Sequence, residues 1–184
     1  MSGSTAPELA DRLAALAPLL AETGVAHALM GGAAVMTYGL RARTRDLDFL
    51  VAGGETALDA IAQVADTRGW RAERKARWHL RLWSGEFFSD IIAGDTALER
   101  SAVATATPRR LGDRLVATIS AEHLCAMKIL AGRPQDLRDV GEIRDGWAEL
   151  EVSSVNELLR PFGFRWAAEP GEVTPTVVEL GEDR

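Results

Sequence analysis

Two carboxylates, Asp46 and Asp48, flank Leu47 at the head of the apolar run Phe49-Leu50-Val51. In a strand, residues two apart project to the same face. Asp46 and Asp48 then point together, while Leu47 and Phe49 pack into the core. Like charges so placed repel unless a cation lies between them. Oxygen ligands of this kind suit Mg2+, which keeps several waters and often bridges to substrate phosphates. Just upstream, an apolar run from Ala26 to Met30 ends in Gly31-Gly32 and leads into a helix-like segment, Ala33 to Tyr38. Lacking Cβ atoms, the two glycines let backbone N–H groups and the helix N-terminus approach a triphosphate. A bare Gly-Gly is more often a turn, and Asp-x-Asp more often a solvated strand edge. Their succession at two strand ends is what points to phosphoryl or nucleotidyl transfer.

A third carboxylate lies in Phe87-Phe88-Ser89-Asp90-Ile91-Ile92. An unpartnered charge inside an apolar strand is expensive. Asp90 either sits at an exposed strand end or joins Asp46 and Asp48, as a metal ligand or as general base for an attacking hydroxyl. Lys128, one of two lysines in the chain, lies in the apolar segment Met127-Lys128-Ile129-Leu130. It needs an anion or an exit to solvent, and Asp136 and Asp139, which share a helix face, are candidate partners. Cys125 reads as a buried core thiol, and as the single cysteine it excludes an internal disulfide. His27, His79 and His123 lack zinc-ligand spacing, and His79 reads as a strand-surface residue.

Gly31-Gly32, Asp46-Leu47-Asp48 and Asp90 together resemble the signature of the nucleotidyltransferase superfamily built on the polymerase β palm, and more particularly its minimal, abortive-infection (AbiEii-type) toxin branch. The segment from Lys128 to Asp139 resembles the helical module that follows the palm in that branch. The resemblance implies Asp46, Asp48 and Asp90 as catalytic and metal-binding residues. It also implies Gly31, Gly32, Arg45 and Lys128 as contacts to an NTP, with Mg2+, in one or two ions, as cofactor. One position departs from the family, in which a hydroxyl residue often follows the second glycine; here it is Ala33.

These residues need strands and helices to position them. Pro7 to Glu22 has helical apolar spacing through Leu9, Leu13, Leu16 and Leu20, with Gly24 closing it. Strands are expected at Val25 to Met30, Asp46 to Ala52, Arg71 to Lys75, Trp78 to Trp83 and Phe87 to Ala93. A helix is expected from Glu55 to Thr67, and a hairpin about Gly112-Asp113. Ser120 opens a helix to about Ala131, Pro134 opens another, and Ser153 to Leu159 suits a third. The fold class is α/β (α+β): a nucleotidyltransferase-like mixed sheet with helices packed on it. A palm-like domain covers 1–119, a helical C-terminal part 120–168 and an acidic tail 169–184, with Thr176 to Leu180 as a candidate edge strand.

The 184 residues carry 47% hydrophobic and 26% charged side chains, ordinary values for a globular chain with a real core. Net charge is −6, so nothing global marks a nucleic-acid binder. No apolar run reaches the roughly 20 residues that span a bilayer, and Met1 to Thr5 lacks signal-peptide character. A cytoplasmic protein without membrane partners is expected. Within the acidic chain, Arg68, Arg71, Arg74, Lys75, Arg77 and Arg81 cluster with Trp70, Trp78 and Trp83 interleaved. Arg41, Arg43 and Arg45 directly precede Asp46. Such a mixture serves a nucleotide or nucleic-acid face, or else forms a solvated hairpin with its tryptophans turned inward.

The reading is a Mg2+-dependent nucleotidyltransferase passing a nucleoside monophosphate from an NTP to an acceptor hydroxyl. Likeness to the toxin branch implies an RNA or protein acceptor and an antitoxin partner. The alternatives are transfer to a small hydroxylated molecule such as an antibiotic, or a degenerate palm that binds a nucleotide or partner without chemistry, for which Ala33 speaks.

Overall fold

The computed structural model describes residues 4–42, 44–167 and 176–179. They form two compact units, Met1–Ile119 and Ser120–Arg184. The first unit is built on a seven-stranded mixed sheet. Its strands are β1 (His27–Met30), β2 (Leu47–Ala52), β3 (Arg71–Ala76), β4 (His79–Ser84), β5 (Phe87–Gly94), β6 (Thr107–Leu111) and β7 (Arg114–Thr118). Across the sheet the order is β3-β4-β5-β2-β1-β7-β6. The β2–β5 and β1–β7 pairs are parallel, and the remaining neighbours are antiparallel.

Alternation along the strands decides which face is core. Leu47, Phe49 and Val51 of β2, Leu80 and Leu82 of β4, and Ile91 and Ala93 of β5 are all buried. Burying an aliphatic or Phe side chain stabilises by about 1.5–3 kcal/mol, so these positions fix the register. The residues between them, Asp48, Arg81 and Asp90, are left together on the other face. Helices α1 (Ala6–Thr23) and α3 (Gly54–Thr67) pack on each other, and α3 runs against β3, β4 and β5. Their buried stripes, Leu9, Leu13, Leu16 and Leu20 in α1 and Leu58 and Ile61 in α3, have the expected helical spacing.

Helix α2 spans Gly31–Thr37, so Gly31 and Gly32 form its first turn rather than a turn ahead of it. Gly31 needs its positive φ of 66° to leave β1 and enter the helix at once. Helix α4 (Ala97–Ala104) was not expected from the sequence; Leu98 and Val103 are its large apolar residues, too few to set a helical period. A reciprocal cap sets its start: Thr96 Oγ1 accepts from Glu99 N at 3.1 Å, and Glu99 Oε2 accepts from Thr96 N at 2.9 Å.

The second unit contains α5 (Ala121–Ala131), α6 (Pro134–Gly146), α7 (Val152–Leu159), a 3-10 turn at Arg160–Phe162, and the antiparallel pair β8 (Phe164–Ala167) and β9 (Thr176–Glu179). Ser120 Oγ accepts from His123 N at 3.2 Å and starts α5, while Gly132 ends it with φ 65°. Both α6 and α7 pack on α5. The Asn156 amide holds the fully buried Trp166 by its backbone, accepting from Trp166 N at 2.7 Å and donating to Trp166 O at 3.1 Å. This hairpin adds a strand, β8, to a part expected to be helical. Of the proposed edge strand Thr176 to Leu180, the first four residues form β9; Leu180 and most of the acidic tail lie outside the described residues. No helix among the described residues is long and apolar enough to cross a membrane.

Candidate active site

Four neighbouring strands of the first unit bring the predicted carboxylates together. Parallel pairing of β2 with β5 sets Asp48 directly beside Asp90, and antiparallel pairings set Met30 beside Asp48 and Arg81 beside Asp90. One row across the sheet therefore reads Arg81, Asp90, Asp48, Met30, with Gly31 next along the chain. A Cβ added to Gly31 would overlap Asp48 Oδ2 and lie 3.0 Å from its Cγ. A Cβ at Gly32 would stand 2.7 Å from Thr44 Cβ. The glycines therefore make room for the chain segment that carries the aspartates.

Asp46 does not share the strand with Asp48 as expected; it precedes β2, which begins at Leu47. Its backbone N–H donates to Thr44 Oγ1 at 3.3 Å. Burial raises the Asp46 carboxyl above its ordinary value, and the charge of Asp90 raises it further against the opposing pull of Arg81, Arg12 and Arg45.

Asp90 is firmly held. Arg81 grips it with both arms, Nε donating to Oδ1 at 2.8 Å and Nη2 to Oδ2 at 2.9 Å. His79 Nε2 meets the same Oδ1 at 2.7 Å. Burial pushes the Asp90 carboxyl up, but the bonds from Arg81 and His79 outweigh it and hold the group below its ordinary value. These contacts use both lone pairs of Oδ1 and one of Oδ2, leaving Oδ2 capacity for one more partner. Among the described residues, no three His, Cys, Asp or Glu side chains gather as a ready metal-ligating cluster. Carboxylate oxygens such as those of Asp46 and Asp48 are of the kind Mg2+ takes, commonly one or two with substrate phosphates completing its shell.

Three residues that the sequence reading left out of the site take part in it. His79 was read as a surface residue, yet it lies two positions from Arg81 on the same strand face, and that spacing was the available signal. Arg12, from α1, donates through Nη1 to the Arg45 carbonyl and lies over the Phe87 ring at 3.8 Å. Thr44 anchors Asp46. Nothing local in the sequence marks Arg12, because remote segments bring its partners Arg45 and Phe87; Thr44, two residues before Asp46, lay within reach of a local reading. Arg45 itself is exposed, and Arg43 lies outside the described residues.

The basic stripe is largely neutralised from within. Arg68 pairs with Glu22, Arg74 with Asp59, Lys75 with Glu73, Arg77 with Glu55 and Arg81 with Asp90. Arg71 stacks over the Trp83 ring at 4.5 Å. Of the tryptophans in the stripe, Trp78 is the large exposed one, at 52%. The sequence left open a nucleotide or nucleic-acid face and a solvated hairpin; the structure gives Arg68, Arg74, Arg77 and Arg81 carboxylate partners close by.

In the second unit, Lys128 takes the internal partners that the sequence offered as one alternative. Its Nζ donates to Asp139 Oδ2 at 2.6 Å and to Asp136 Oδ1 at 3.2 Å, and all three side chains are buried. Arg133 Nε donates to Asp136 Oδ2 at 2.5 Å and Gln135 Nε2 to Asp139 Oδ1 at 2.7 Å, completing the network. Cys125 is buried, and its thiol is pushed up to about 12, chiefly by burial; at that value it is no nucleophile at neutral pH.

No protein-family model matches the sequence, and no curated protein matches it. Solved structures do match. The antibiotic-resistance factor ANT(2'')-Ia in solution is 16% identical over 80% of this chain and 86% of its own, with a TM-score of 0.58. An antigenic nucleotidyltransferase-like protein from Paracoccidioides brasiliensis is 19% identical, covering 86% and 88% with a TM-score of 0.56. The lincosamide antibiotic adenylyltransferase LnuA, with lincomycin bound, is 18% identical, covering 73% and 95% with a TM-score of 0.51. The fold is nucleotidyltransferase-like, as the sequence pattern implied.

Proposed function

We propose that the chain is a Mg2+-dependent nucleotidyltransferase that moves a nucleoside monophosphate from an NTP to a hydroxyl of a small molecule. The observation that carries this reading is the row Met30, Asp48, Asp90 on three adjacent strands, with Gly31 next along the chain and the charge of Asp90 acting on Asp46. Gly31 and Gly32, in the first turn of α2, offer backbone N–H groups to the triphosphate. Asp46 and Asp48 hold Mg2+, which when bound neutralises charge developing on the phosphates. Asp90 accepts a hydrogen bond from the acceptor hydroxyl and aims its oxygen at the α-phosphorus. As the new O–P bond forms and pyrophosphate leaves, the hydroxyl proton passes to Asp90. Arg81 keeps Asp90 charged and therefore a weak base, so its main contribution is orientation, with proton transfer late.

A small acceptor fits better than a polynucleotide because the arginines that would follow a phosphate backbone are paired internally. ANT(2'')-Ia is an antibiotic-resistance factor and LnuA an adenylyltransferase of lincosamide antibiotics, and a similar acceptor class is proposed here. The toxin reading with an RNA acceptor would need those ion pairs to open. The test is incubation with Mg2+ and each NTP in turn, offering small hydroxylated compounds, total RNA and bulk protein, and following pyrophosphate release. Release with small acceptors, lost in Asp48→Asn, is expected; release only with RNA or protein would favour the toxin reading.

A further inference from the structure

Trp78 is exposed yet held in place. It sits in the β3–β4 connection, where its carbonyl accepts from Ala93 N at 2.8 Å and its neighbour Arg77 is tied to Glu55 at 3.2 Å. Its indole stacks on the His79 imidazole, with centroids 5.5 Å apart and planes 19° from parallel. His79 in turn meets Asp90 at 2.7 Å. A stack of two rings thus leads from solvent to the carboxylate that receives the acceptor hydroxyl. Of the other aromatics nearby, Trp83 packs on Phe88 at 5.1 Å under Arg71, Arg81 lies over Phe88 at 4.0 Å, and Phe87, half exposed, has one face taken by Arg12 at 3.8 Å. A large indole left half in water loses burial, and a preorganised aromatic face beside a reactive group is a natural seat for a ring.

We propose that Trp78 is the acceptor-side wall of this site and sets its specificity for ring-bearing hydroxylated molecules. One ring of the acceptor rests on the indole, and a hydroxyl on another part of the same molecule extends past His79 to Asp90. This inference rests on the nucleotidyltransferase reading. A nucleobase could stack on the same indole, so the experiment separates the two ligands.

Lincomycin and tobramycin serve as ring-bearing hydroxylated probes, and glycerol as a hydroxylated probe without a ring. Their dissociation constants, and those of each NTP with Mg2+, are measured for the parent, Trp78→Phe and Trp78→Ala. The parent is expected to bind at least one ring probe in preference to glycerol. Trp78→Ala should weaken that binding roughly tenfold, Trp78→Phe should restore most of it, and NTP affinity should stay unchanged. Circular dichroism checks that both variants fold; the exposed side chain and the backbone bond to Ala93 favour this. No ring-probe binding by the parent overturns the proposal, as does unaltered binding by Trp78→Ala. A fall in NTP affinity instead assigns the indole to the base and overturns it as well. Ring binding that depends on Trp78, without pyrophosphate release from any NTP, would sink the nucleotidyltransferase reading while leaving the wall standing.

Discussion

Asp48 fills the space that a side chain on Gly31 would need, since a Cβ there would overlap its Oδ2 and crowd its Cγ. Gly31→Ala therefore meets two obstacles, the carboxylate and a φ of 66°, the second costing about 1–2 kcal/mol on its own. The variant is expected to be less stable by roughly 1–3 kcal/mol and to lose most transfer activity, because Asp48 must move. Thermal unfolding and pyrophosphate release together check this; an active Gly31→Ala would show that Asp48 has no fixed role.

Removing Asp48's charge has the opposite expected effect on stability. Asp48→Asn relieves repulsion among Asp46, Asp48 and Asp90, so the protein should keep its Tm or gain slightly while losing transfer. Parent Tm should rise as Mg2+ is added, by mass action on the folded state, and that rise should be much reduced in Asp48→Asn. Outright unfolding of the variant would make the aspartate structural.

Acid should act on the two flanking carboxylates in sequence. Asp46 has a raised folded pKa, so its contribution is fully present below its unfolded value and is lost as pH rises through the folded value. Asp90 has a lowered one, so its contribution is present above the unfolded value and is lost as pH falls through the folded value. On acidification Asp46 protonates first, and the Mg2+-induced rise in Tm should fade while the Arg81–Asp90 pair still holds. Asp46→Asn should be more stable than the parent at neutral pH and show no such fading. If the Mg2+ response of the parent persists to the pH where Asp90 protonates, Asp46 is not a ligand.

Much of the first unit was legible because its signals are local. The Asp-Leu-Asp segment in an apolar run, the glycine pair and the alternation about Asp90 each lie within a few residues. What escaped depends on contacts between distant segments. His79 gains its contact with Asp90 only when β4 pairs with β5; Arg12 reaches the loop residue Arg45 from α1. The partners of Arg68, Arg74 and Arg77 come from α1 and α3, so counting basic residues along the chain overstated the charge of that face. Lys128 was ambiguous for a plainer reason: a buried lysine needs an anion, and sequence alone does not say whether the anion is internal.

That internal network makes its own prediction. Lys128→Met leaves Asp136 and Asp139 buried without their shared cation, and breaking such a pair costs about 3–5 kcal/mol. Denaturant unfolding should show a loss on that scale. A stable Lys128→Met whose NTP affinity has collapsed would instead place the lysine on phosphate.

Salt should reveal little. With Arg74 and Arg77 engaged by Asp59 and Glu55, few cations remain to displace counterions from a phosphate backbone. RNA affinity is expected to be weak, and Arg71, Arg74 and Arg77 replaced together by alanine should change neither it nor its salt slope. A steep salt dependence in the parent, flattened in the triple variant, would restore the polynucleotide acceptor.

The parallel β2–β5 pairing has a consequence for how the protein comes to be active. It joins Asp48 to Asp90 across a helix and two intervening strands, with no hairpin to bring them together, and such non-local pairings close slowly during folding. The complete site cannot precede that closure, since the head of β2 carries Asp46 and Asp48 while the β3–β5 meander carries Asp90. Recovery of transfer activity after dilution from denaturant should therefore lag behind recovery of helical signal, and a nascent chain should acquire the complete site only after β5 has been made.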